Sequence, residues 1–519
     1  MKDKLTELVK RRHPRYAEML AHWDFLEATY EGGRAWFADN IFKYLKEGDD
    51  EFRDRVKRAY RFNHTKQVVD MVDKYLFKMP VARRTDDAPE SVKAFWKRST
   101  LTGLDIDTFA RRISNATSRY GRVWVIVDST FSTGTSADGG EGDEVVTLAD
   151  RAASGGGPYA YIIRPQDLLD ISYDEVGEYN WALVREIGRD DADPFESSGA
   201  PVVRYRLWTR DGWYLFEEKT VRGKVRVETI DAATHALGVV PIVQADHQFS
   251  EEPYESSGLI DDISYLDRAN ANYLSNLDAI IQDQAFSQLT MPAQGMVAGE
   301  DGHKKLVSIG TNRLFTYNGE SPHKPEYISP DPRQAGMILA AIGKIVNEIY
   351  HSVGLSGERT KDDNGGGVDN SSGVAKAYDF ERTNSLLTAK AQSLQIVERR
   401  IARLVALWEG EDGEINDDIS LVSYPEKFDT RSLHDEFEIG ARLSLLAAPD
   451  EVRRMQMSQV IDKLFPGASE EERDKLEASL KDWPPEPIAA ALPLSDKSNA
   501  GGPISAASTQ RTAKELTAK

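Results

Sequence analysis

The strongest constraint on the fold is a run of apolar residues at helical spacing that begins near residue 256 and is twice interrupted. Leu259, Ile263, Leu266, Asn270, Tyr273, Leu277 and Ile280 recur at alternating steps of four and three, a heptad-like seam. Such a seam serves equally the core of a single-chain bundle or packing against another subunit, and the pattern alone does not choose between them. Segment 290–331 then breaks the helix with Pro292, Gly295, Gly299, Pro322, Pro325 and Pro330, leaving room for short strands at 304–309 and 313–317. A second helix is expected over 333–353, striped by Ile338, Ala341, Ile342, Ile345 and Ile349. Residues 354–373 carry six glycines and four acids against two bases, too little apolar surface to fix one conformation, so this stretch is expected to be mobile. A very long helix over 374–408 follows, with Leu387, Leu394, Val397, Ile401, Leu404 and Trp408 on its stripe.

The first 80 residues read as helical. Leu5, Leu8 and Val9 form one short stripe, and Tyr16, Met19, Leu20, Trp23 and Leu26 a second. A third helix is expected from 51 to 78, stopped by Pro80, with Arg53, Lys57, Arg58 and Arg61 on one solvated flank. From 90 to 255 the period changes. A helix near 105–120 leads into a buried-strand pattern at 122–127, then a long polar loop at 131–157. Strands are expected at 159–163, 181–188, 202–209, 212–218 and 224–230, with Asp211-Gly212 as a hairpin turn. A strand at 419–424, helices near 431–446, 449–464 and 469–481, and a disordered tail over 484–519 complete the chain. The fold class is α+β, mainly helical.

A formal net charge of -20 argues against tight wrapping of nucleic acid, but not against a surface past which nucleic acid must slide. With no cysteine, disulfide and thiolate chemistry are ruled out. The charged N-terminus lacks the apolar core of a secretory signal, and the apolar stretch at 236–243 is far short of the ~20 residues that span a bilayer. A soluble, cytoplasmic protein is expected. No Walker A pattern or nucleophile elbow is present, and the nine histidines form no zinc-binding spacing. Asp261-Asp262 could serve a two-metal nuclease, yet acids opening a helix are better explained by the helix dipole. No cofactor and no enzymatic activity are expected.

The order of these segments resembles the portal proteins of tailed bacteriophages. Residues 60–80 (YRFNHTKQVVDMVDKYLFKMP) look like an early helix of that family. Residues 258–289 are similar to its first stem helix, and 371–408 to the long helix after its tunnel loop. The resemblance implies a wing over 1–255, a stem of 256–289 and 332–353, and a clip over 290–331. It further implies a tunnel loop over 354–373, a long helix and returning wing strand over 374–424, a crown over 425–483 and a disordered tail. It also implies a ring, usually of twelve subunits, at one capsid vertex in the virion, assembled in the host cytoplasm. Its partners would be the terminase large subunit, head-completion or adaptor proteins, major capsid and scaffolding proteins, and double-stranded DNA passing non-specifically. Glu358, Arg359, Lys361, Asp362, Asp363, Asn364 and Asp369 would line the channel. Lys304, Lys305, Arg313, Phe315 and Tyr317 would meet clip partners, while Leu259, Ile263, Leu266, Tyr273, Leu277 and Ile280 would pack the stem. A minor capsid or assembly scaffold without a channel is the alternative, and a metal-dependent packaging nuclease the weaker one.

Overall fold

The computed structural model describes residues 2–45, 47–129, 156–221, 224–285, 288–292, 314–317, 326–328, 333–354, 373–415, 420–426, 428, 437, 440, 443, 449–464, 475–476, 478–480 and 483. The chain mixes helix and sheet and divides into two compact units, residues 1–430 and 431–519.

The first unit opens with five helices: α1 (Lys2–Val9), α2 (Pro14–Glu31), α3 (Arg34–Asn40), α4 (Asp49–Arg58) and α5 (His64–Leu76). The single helix expected over 51–78 is therefore two helices, and the cause lies outside the segment. Arg34 reaches the end of α4 and donates to the carbonyls of Ala59 (2.8 Å), Val56 (3.3 Å) and Lys57. These are the acceptors that a continuing helix would have used, so the α4 terminus is satisfied from another helix. Asn63 then restarts the chain by accepting from the Lys66 amide at 3.0 Å. Asp49, Asp50 and Glu51 open α4 while Lys57 and Arg58 close it, each matched to the adjacent end of the helix dipole.

Strand β1 (Ala82–Arg83), α6 (Glu90–Lys97) and α7 (Ile106–Tyr120) lead to β2 (Arg122–Ser129), which is buried along its whole length. β2 sits between β3 (Pro158–Ile163) and β9 (Ile242–Asp246), antiparallel to both, with Trp124 opposite Ile163 on one side and Gln244 on the other. A second sheet is a five-strand antiparallel meander of β4 (Leu168–Tyr173), β5 (Tyr179–Arg189), β6 (Pro201–Thr209), β7 (Gly212–Val221) and β8 (Lys224–Thr234). The β6–β7 turn is locked by Thr209 Oγ1, which donates to the Gly212 carbonyl at 2.8 Å and accepts from its amide at 3.2 Å. β4 and β9 did not stand out in the sequence: Asp170, paired with Arg11, breaks the apolar pattern of one, and Gln244 that of the other.

Two helices follow, α8 (Ile263–Ala285) and α9 (Arg333–Ser352), which pack against each other. Between them lies a small sheet of β10 (Gln288–Pro292), β11 (Leu314–Tyr317) and β12 (Glu326–Ile328). β10 is central, parallel to β11 and antiparallel to β12. The expected strand at 304–309 lies outside the described residues. The long helix α10 (Gly373–Glu409) then crosses the core, and β13 (Val422–Ser423) pairs with β1.

One main core unites the β2 sheet, the inner face of the meander and helices α2, α5, α6, α7, α9 and α10, with the start of α8 joining through Ile263. A separate cluster on the outer face of the meander joins Val9 of α1 to Leu169, Leu183, Tyr205, Phe216 and Val227. Gly121 marks the tightest backbone crossing. Its φ is +78°, and a Cβ there would stand 1.7 Å from the Ser256 carbonyl oxygen, so only glycine fits. In the second unit, α11 (Asp450–Leu464) is opened by Asp450 and Glu451, and Arg454 Nε donates to the Trp483 carbonyl at 2.5 Å. The helices expected at 431–446 and 469–481 fall largely, and the tail over 484–519 wholly, outside the described residues.

Candidate functional site

The region that organises the first unit is the junction where α9 ends, α10 begins and the acidic glycine-rich segment joins them. Gly354 closes α9 with a φ of +74°; its carbonyl accepts from Thr383 Oγ1, and a Cβ would meet the Thr383 amide nitrogen at 3.1 Å. Arg382 reaches back to the Ser352 carbonyl at 3.4 Å and faces His351 Nε2 at 3.5 Å. Gln248, His351, Glu381, Arg382 and Ser385 line an open cleft beside this turn.

From Thr383 onward, polar side chains of α10 bind groups supplied by distant segments. Thr388 Oγ1 donates to the Glu426 carbonyl at 3.0 Å and Ser393 Oγ to the Asp246 carbonyl at 2.8 Å. Asn384 and Gln395 accept from the amides of Phe428 (2.8 Å) and Tyr424 (3.0 Å), and Trp408 Nε1 donates to the Val127 carbonyl at 2.9 Å. Each pairing ties α10 to a backbone group of a segment distant in sequence, and of these only the Ser393–Asp246 bond is fully buried.

Two charged clusters lie within this frame. Lys390 is fully buried; its ammonium donates to the Ser114 carbonyl (2.9 Å), Ser118 Oγ (2.6 Å) and Thr117 Oγ1 (3.3 Å), and meets His247 Nδ1 at 2.9 Å. Ser114, Thr117 and Ser118 lie in the last two turns of α7, the negative end of the helix dipole, while His247 follows β9. Burial pulls the Lys390 pKa down to about 8 against the favourable charge of Asp73. Asp73 itself is raised by burial, opposed by Lys390, Ser114 and Asn115. His247 is held well below its ordinary value by burial and by Lys390, so its imidazole is neutral at pH 7. In the second cluster Glu398 accepts from Arg83 Nε at 2.5 Å and from the Tyr424 hydroxyl at 3.0 Å. Burial raises the Glu398 carboxyl against the stabilising Arg83.

The α8 face is organised differently from its apolar pattern. Ile263 and Leu277 are buried, Leu259 and Leu266 half-buried against the main core, Ile280 half-buried, and Tyr273 is 38% exposed. The most enclosed positions are Ile260, Ser264, Asp267, Asn270, Ala271 and Ser275. α8 packs against α2, α4, α5 and α9, so its closest approaches fall on small and polar residues. Asp267 accepts from Thr65 Oγ1 (2.9 Å) and Arg61 (3.1 Å); Ser275 accepts from buried Arg55, which also binds Glu47. Arg61, expected on a solvated flank, is therefore a buried ion-pair partner. Arg53 and Lys57 do sit in exposed pairs with Asp50 and Asp54.

Glu358, Arg359, Lys361, Asp362, Asp363, Asn364, Asp369, Lys304, Lys305 and Arg313 lie outside the described residues. Phe315 and Tyr317 fall on β11, in register with Thr290 and Pro292. Asp261 faces His22 at 3.6 Å and accepts from the Gly258 amide at 2.9 Å, while Asp262 is exposed. Among the described residues, no group of three His, Cys, Asp or Glu side chains is placed to hold a metal ion, and no helix is long and apolar enough to cross a membrane.

No protein-family model matches the chain, and no curated protein does. Among solved structures, it is similar to a chain in one described as "Neck of empty GTA particle computed with C6 symmetry". The identity is 12%, the match covers 82% of this chain and 98% of that one, and the TM-score is 0.37. At that score no residue role is transferred.

Proposed function

We propose that this chain is a portal-type subunit that closes into a ring at a capsid vertex and forms a channel for double-stranded DNA. The observation that carries this reading is the pairing of α8 and α9, which pack against each other, enclose the β10–β12 strands in sequence and are followed by the acidic segment and the 37-residue α10. A ring built by rotation needs two different contact faces on each subunit, and a helix pair offers them. The channel role rests on the acids of 354–373: a surface that holds phosphate weakly lets DNA slide. In this reading the β10–β12 unit receives the terminase motor and later the head-completion proteins, and the protein performs no catalysis.

Negative-stain microscopy and mass photometry test the ring. Closed rings many times the 58.0 kDa subunit mass are expected, and a monomer or dimer at every concentration overturns the proposal in favour of a non-channel assembly protein. Deleting 361–370 is expected to leave rings intact while packaging or retention of DNA falls. Unchanged packaging and retention would make this segment an inert connector.

A further inference from the structure

We propose that α1 is a strap that opens and closes over an apolar sheet face while the rest of the first unit stays folded. The outer-face cluster of the meander is separate from the main core, and α1 touches it through Leu5, Leu8 and Val9. Leu5 and Leu8 are only half-buried. An eight-residue helix cannot hold itself together in water, so α1 persists only while these contacts do.

The cover is also smaller than what it covers. Leu169, Leu183, Phe216 and Val227 are at most 3% exposed. Yet Ile187, Tyr214 and Val225 are 61%, 45% and 46% exposed, and strand alternation puts them on the same face.

The hinge is equally well defined. His13 is fixed, its amide donating to the Leu169 carbonyl at 2.8 Å and its ring stacked 4.1 Å from Tyr254. Before it, Lys10, Arg11 and Arg12 are exposed. Arg11 holds Asp170 at 3.2 Å and lies over Trp181, and Arg12 donates to the Arg11 carbonyl at 3.0 Å. A single ion pair from a half-exposed Arg11 thus fastens the joint, as suits a strap that is closed but releasable.

The chain has no cysteine, so single thiols report opening without background. Val227→Cys, beneath α1, is compared with Val125→Cys in β2, both reacted with a maleimide. Val227→Cys is expected to react at least tenfold faster, and adding Leu8→Ala is expected to raise that rate several-fold without changing the Val125→Cys rate. Equal slow rates at both positions, or equal acceleration by Leu8→Ala, would overturn the proposal. Hydrogen exchange of the unaltered chain is an independent check. Amides of residues 5–9 should exchange well before those of β2, and equal protection would sink the idea.

Discussion

Replacing Lys390 by Met tests whether an ammonium is held inside the first unit against its own desolvation. The drop of its pKa from 10.5 to about 8 is worth roughly 3 kcal/mol, at ~1.4 kcal/mol for each tenfold change in proton affinity. The sign follows from proton counting. Below pH 8 both folded and unfolded chains keep the proton, and above 10.5 neither does. Between these limits the unfolded chain binds more, so stability should rise with pH. This contribution is complete above 10.5 and is lost as pH falls through 8. Buried tyrosines such as Tyr161 and Tyr424, raised well above 10 by burial, act in the opposite direction only at higher pH. The useful window is therefore pH 7.5–9.5, where the wild type should gain about 2 kcal/mol from Lys390. Lys390→Met removes the ammonium's hydrogen bonds to the Ser114 carbonyl, Thr117 Oγ1 and Ser118 Oγ, at a cost of about 1–3 kcal/mol, but removes the cost of burying a charge. The net change at pH 7.5 is thus small, and the slope is the discriminating quantity. Urea unfolding followed by tryptophan fluorescence, at fixed protein concentration, should show a rising midpoint for the wild type and a flat one for the variant. Parallel profiles would refute the argument.

Gly121→Ala should cost roughly 3 kcal/mol or more, because a Cβ collides with the Ser256 carbonyl at a positive φ; differential scanning fluorimetry would register it. Arg61→Met should cost about 3–5 kcal/mol by stranding Asp267, whereas Lys57→Ala should leave the melting temperature within error. Arg83→Met should destabilise by a similar 3–5 kcal/mol through Glu398, and the paired change with Glu398→Gln should recover part of that loss in chemical denaturation.

The long helices were legible because their apolar stripes repeat over several turns. The helix expected at 333–353 spans Arg333–Ser352, and that at 374–408 spans Gly373–Glu409. The break between α4 and α5 was not, since the group that ends α4 is Arg34, some 20 residues earlier and on another helix. The same holds for the charged clusters. Lys390 stands three residues after Leu387 and four before Leu394, in phase with an apolar stripe, and that was the available signal. Its partners lie at 73, 114, 117, 118 and 247, a set no local pattern reveals. On α8, the seam includes Asn270, which is buried, but passes over Asp267, which becomes buried because Thr65 and Arg61 come to meet it.

The bonds made by α10 also impose an order of events. The carbonyls of Ser114, Val127 and Asp246 and the carboxyl-binding guanidinium of Arg83 find their partners on residues 390, 408, 393 and 398. As the chain leaves the ribosome, the first 250 residues can form their sheets and helices but cannot complete the core. Closing contacts over such sequence distances is slow, and it waits on synthesis of the last third of the unit. A chain truncated before residue 390 should therefore be collapsed but unfinished, which makes α10 the element that commits the first unit to its final form.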